Sequence, residues 1–119
     1  MLVLASGIAR AGEPDTSESI ETLLQKGTAA RSQGHDEEAL QYFERADAQK
    51  RSPTTRGQIA LAEQALGMWV LAETHLTAAL EAKDDPWIQK NRGPLEGALA
   101  TIQKHVGSLD VRSNVGNAE

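Results

Sequence analysis

The sequence predicts an all-α protein made of antiparallel helical hairpins repeated along the chain and closed by a C-terminal capping helix. Three observations carry that expectation. The chain matches itself at an offset of 33 residues, the matched units carry helix-ending glycines and helix-starting prolines at the same places, and Ala and Leu are abundant while aromatic residues make up only 3%. A core poor in rings and rich in small side chains is suited to close helix crossings rather than to a sheet.

Residues 1–11 stand apart from the rest. Leu2 to Ala9 is an apolar run, and Ala9-Arg10-Ala11 before Gly12 has the small-x-small form of a signal-peptidase site, so these residues read as a signal-peptide remnant. That reading predicts export, to a periplasm or the exterior; without it the expected compartment is the cytoplasm. The run is far too short to span a bilayer. Residues 12–19 read as a polar linker, with Pro14-Asp15 as a helix-start signal and Glu18 able to complete a capping box on Asp15.

The repeat begins near Ile20. At the 33-residue offset Gln25 pairs with Gln58, Ala29 with Ala62, Gly34 with Gly67, Ala39 with Ala72, Ala46 with Ala79, Lys50 with Lys83 and Pro53 with Pro86. Each unit divides into two helices. Ile20 to Gln33 carries Leu23, Leu24, Gly27, Ala30 and Arg31 at three-and-four spacing, and Gly34 can take the left-handed conformation that ends a helix. Asp36 is expected to cap the second helix, whose apolar stripe is Ala39, Leu40, Phe43 and Ala46. Ser52-Pro53 then supplies a capping oxygen and a proline where a missing N–H costs nothing, and Asp85-Pro86 repeats the device.

These residues resemble the tetratricopeptide repeat (TPR) family over two units, about 20–52 and 53–85. Gly27, Gly34, Ala39, Phe43, Ala46 and Pro53 occupy the family's pattern in the first unit, and Ala60, Gly67, Ala72, Leu76, Ala79 and Pro86 in the second. Two departures are plain: Ala30 and Glu63 stand where the family has tyrosine, and the aromatic common after the turn glycine is Asp36 in one unit and Trp69 in the other. An unrelated bundle of helical hairpins is the alternative. The resemblance implies a right-handed solenoid whose first helices line a concave groove.

Residues 86–105 read as the capping helix, with Leu95, Leu99 and Ile102 on one side, Glu96, Gln103 and Lys104 on the other, and a break or kink at Gly93-Pro94. Residues 106–119 read as an extended tail, since Leu109 and Val111 alternate with polar neighbours. Its Gly-x-Leu-x-Val run resembles the opening strand of the small PEGA β-domains, which implies that a β-domain follows.

The function classes narrow on charge and side-chain inventory. Seventeen Asp and Glu against twelve Lys and Arg give a net charge of −5, which opposes binding to nucleic acid or anionic lipid. There is no cysteine. His35, His75 and His105 have no metal-ligand spacing; they read as a turn residue, an exposed helix residue and a helix C-terminal residue. Asp36-Glu37-Glu38 and Asp84-Asp85 fall at helix starts, where capping is the simpler role, and no phosphate loop or nucleophile elbow occurs. Trp69 and Trp87 read as core and cap packing. No catalytic residue, metal or cofactor is therefore expected.

What remains is a non-catalytic scaffold that binds a partner protein or peptide. The resemblance places Glu21, Leu24, Thr28, Arg31, Gln58, Leu61 and Gln64 in the groove, with Leu24 and Leu61 as apolar anchors, Arg31 for a carboxylate and the glutamines for a peptide backbone. Family members that clamp a chaperone's C-terminal carboxylate carry Lys and Asn where this chain has Leu24, Thr28, Gly57 and Leu61, so that specificity is not expected. Alternatives are self-association into a homo-oligomer, or an accessory region of an enzyme whose catalytic part lies downstream.

Overall fold

The computed structural model describes residues 18–117, and among them every regular element is helical. The helices are α1 (Ile20–Ser32), α2 (Asp36–Gln49), α3 (Pro53–Ala65), α4 (Trp69–Leu80) and α5 (Pro86–Asn117). The expected signal remnant and most of the linker, Pro14 and Asp15 included, lie outside the described residues.

Local chemistry explains each boundary. Gly34 and Gly67 are the described residues with positive φ, at +81° and +75°. Around each, the chain folds back with the same pair of bonds: His35 N–H to Ala30 O at 2.8 Å with Gly34 N–H to Arg31 O at 3.0 Å, and Met68 N–H to Glu63 O at 2.9 Å with Gly67 N–H to Gln64 O at 3.1 Å. This is the glycine-dependent helix stop, made twice at the predicted offset. Ser19 caps α1 by accepting from Thr22 N–H at 3.1 Å. Asp36 is not a cap. His35 holds that position without a side-chain bond, and Asp36, Glu37 and Glu38 fill the first turn, where they favour the positive helix pole.

Ser52 and Thr55 make a complete capping box at α3, each side chain accepting the other's backbone N–H at 3.0 Å. Asp47 accepts from the Thr55 hydroxyl at 2.6 Å, which ties the end of α2 to the start of α3. Asp85 caps α5 by accepting from Trp87 and Ile88 N–H at 2.9 and 3.0 Å. Ser52→Ala should cost about 1 kcal/mol in urea melts, the ordinary worth of a lost N-cap, and an unchanged midpoint would refute that assignment.

Neighbouring helices pack pairwise along the chain, and α3 also meets α5. The α1–α2 pair is antiparallel. Glu18 at its open end accepts from Arg45 at 2.8 Å, its carbonyl accepts from Gln49 at 2.8 Å, and it pairs with Lys26. Buried Phe43 lies over Gly27, so closely that a Cβ there would sit 2.3 Å from the ring. Phe43, Ala39, Ala30, Ile59 and Ala62 form one core cluster, joining α2 to both α1 and α3. Leu76 takes the corresponding place in the second cluster, with Ala60, Ala72 and Ala79, closed by Ile88, Leu95 and Ile102 from α5.

Two expectations about the C-terminal part are corrected. The helix is not divided at Gly93-Pro94: α5 is continuous with Pro94 inside it. The residue before proline has no Cβ to strike the pyrrolidine ring, and both residues are exposed, so nothing in the core opposes the adjustment. The stretch expected to be extended from 106 is helical through Asn117. A solitary strand would leave its backbone groups without partners, whereas a helix satisfies them within itself.

Candidate functional site

The first turns and middle of α1, the exposed side of α3 and the start of α5 enclose a groove of about 610 Å³. Leu24, Gln25 and Thr28 come from α1, Thr54 and Gln58 from α3, and Trp87 from α5, with Glu21 at one end and Ser32 at the other. Glu21 and Thr28 are exposed; Leu24 and Gln58 are half-buried. Leu24 also rests against the first core cluster, so its outer surface forms an apolar strip on a firm base.

Trp87 reaches the groove because Gly57 lacks a side chain. A Cβ on Gly57 would lie 2.6 Å from the six-membered edge of the indole, so the ring sits directly on the α3 backbone. Sequence reasoning assigned Trp87 to cap packing, and it does pack against the second core cluster. Its contribution to the groove was missed. The signal was available in the register, since Trp87 stands 33 residues after Thr54, which stands 33 after Glu21, and all three line the groove.

Glu21, Leu24, Thr28 and Gln58 thus converge as expected in position. Arg31 stands at the margin, where its guanidinium donates to Gln58 Oε1 at 3.4 Å, so it orients an amide that faces the groove. Leu61 and Gln64 do not line it. Leu61 packs, half-buried, against the second core cluster, on the side of α3 that meets the later helices. Thr28 donates its hydroxyl to Leu24 O at 2.8 Å and Ser32 donates to Ala29 O at 2.8 Å; both oxygens keep lone pairs that face outward.

The histidines fall elsewhere. His75, expected on an exposed face, is turned toward Glu63, with Nδ1 2.7 Å from Oε1. Glu63 is 2% exposed, and burial raises its carboxyl above the usual range while the hydrogen bond from His75 pulls it back. His105 lies within α5 rather than at a helix end and stacks flat on Trp69, ring centres 3.7 Å apart. Among the described residues no three His, Asp or Glu side chains come together as metal ligands, and no helix is long and apolar enough to cross a membrane.

Comparison of the chain with protein-family models, with curated proteins and with solved structures gives no match.

Proposed function

We propose that the chain is a TPR-like helical repeat module that binds an extended segment of a partner protein in the groove between α1, α3 and the start of α5, without chemistry of its own. The observation that carries this reading is the convergence of side chains from three helices that begin one repeat apart. Leu24 and the Trp87 ring give an apolar floor, Gln25 and Gln58 offer amides that can pair with a peptide backbone, and Thr28, Ser32 and Thr54 add hydroxyls. A mixed lining of this kind suits an extended chain, whose backbone groups need partners along its whole length. The Ser-Pro and Asp-Pro starts, the paired glycine stops and the small-residue crossings support the repeat reading. The capped α5 takes the place of a third first helix.

The test is a displayed library of random peptides selected on the chain, with affinities of the enriched peptides measured by calorimetry. Thr28→Arg fills the groove from an exposed position and should weaken them by about tenfold or more, a loss of at least ~1.4 kcal/mol. Gln41→Arg, on the exposed outer side of α2, should leave them unchanged. Equal binding by parent and Thr28→Arg, or no enriched peptide, would remove the groove from consideration.

A further inference from the structure

A second surface lies at the turn end of the molecule. The four residues that follow the turn glycine are His35-Asp36-Glu37-Glu38 in the first unit and Met68-Trp69-Val70-Leu71 in the second. They occupy the same structural place, after the same glycine stop and at the same helix start. One is polar and acidic; the other is apolar throughout. Trp69 is accounted for by its stack on His105 and its contact with the core. Met68, Val70 and Leu71 are not: they are 36, 59 and 46% exposed, and with Leu109 they are the large hydrophobic side chains standing open among the described residues.

The exposed side of α4 continues this surface through Thr74, Thr77 and Ala78, with half-buried Glu73 the one carboxylate of α4, whereas the exposed side of α2 carries Glu37, Glu38 and Glu44. The turn that leads into α4 lies by the start of α2, for Leu66, which ends α3, lines one cavity of about 400 Å³ with Gly34, His35, Asp36, Glu37 and Glu38. The apolar strip therefore begins two residues after Leu66, which borders the three carboxylates at the start of α2. The half-charge of a helix N-terminus does not offset them. A second copy would bring the same carboxylates against these, and an anionic bilayer would be repelled by them as well as by the net charge of −5.

We propose that this face docks an amphipathic helix of a partner protein whose apolar side seats on Met68, Val70 and Leu71 and whose flanking Lys or Arg residues meet Asp36, Glu37 and Glu38. Apolar contact supplies affinity, and the carboxylates set orientation and exclude acidic partners.

The probes are two synthetic helices of about 18 residues with one leucine face, the polar face lysine in one and glutamate in the other. The lysine helix should bind the chain, measured by calorimetry, and the glutamate helix should not. Val70→Ser with Leu71→Ser should weaken the lysine helix by about tenfold or more while leaving the melting midpoint in place, because both side chains are exposed. Glu37→Gln with Glu38→Gln should weaken it less and flatten its salt dependence. Equal binding by the Ser variant would reduce the interaction to charge attraction and overturn the site. Equal binding of the glutamate helix would overturn the charge assignment, and loss of binding on Thr28→Arg would move the helix to the groove. A concentration-dependent dimer that Val70→Ser with Leu71→Ser abolishes would make a second copy the occupant and overturn the partner proposed.

Discussion

Gly27→Ala should destabilise the chain by about 1–3 kcal/mol, whereas the same change at Gly97 should stabilise it by about 0.5–1 kcal/mol. Both residues lie inside helices, where alanine is intrinsically preferred by nearly 1 kcal/mol, so the difference in sign comes from what the new methyl meets. At Gly27 it meets Phe43, with ring carbons 2.3 and 2.7 Å from an ideal Cβ. Phe43 is wholly buried and cannot swing aside into solvent, so α1 and α2 must separate or the ring must leave its rotamer. At Gly97 nothing lies within 4 Å, and no proline follows it. Urea melts of the two variants check both signs. A second substitution tests the cause: Phe43→Leu alone should cost about 1–2 kcal/mol for lost volume, and adding Gly27→Ala to it should cost far less than Gly27→Ala alone. Additive losses would show that the crossing is not where the strain arises.

Legibility in the sequence followed how local the governing physics is. Glycine stops and Ser-Pro or Asp-Pro starts depend on a few adjacent residues, and so Gly34, Gly67, Ser52 and Asp85 could be read directly, including their 33-residue spacing. The small residues at crossings were readable for a related reason, since Ala39, Ala46, Ala72 and Ala79 recur at fixed places and all prove buried. Contacts between helices were not. Nothing local to His75 shows that it faces a carboxylate twelve residues earlier, and the Trp69–His105 stack joins residues on different helices. The tail misled because alternation over a few residues is a weak signal beside the continuation of a helix already nucleated upstream. At the groove, the places on α1 were legible because one helix face was enough to predict them. Leu61 stands outside this groove because its side of α3 turns toward the later core cluster, and the place of Trp87 in it was not legible because the ring's approach depends on the absence of a side chain at Gly57.

His75→Ala should destabilise the chain by about 1–3 kcal/mol at pH 7, and by much less near pH 4, because its partner is a buried carboxyl that holds its proton more strongly in the folded state. Burial is the largest influence on Glu63 and lifts it above the ordinary 4.5; the hydrogen bond from His75 is the next and acts against the rise. A carboxyl raised on folding contributes its stability in full below about pH 4.5, where the unfolded chain is protonated too. That contribution is lost as pH rises through the folded value. Removing His75 takes away the opposing bond, so the loss should be greater and extend over a wider range than in the parent. Glu63→Gln should abolish this pH dependence while leaving His75 an amide oxygen as partner. Glu18 runs the other way: Lys26 and then Arg45 hold its carboxyl below 4.5, so its contribution is present above that pH and lost as pH falls through the lower folded value. Since parent and variant share Glu18, its contribution cancels in the difference between their melts at pH 4 and pH 7, and what remains belongs to the His75–Glu63 pair. An equal cost of His75→Ala at the two pH values would overturn this account of the pair bonded at 2.7 Å, leaving the contribution of His75 to the packing of α4 on α3.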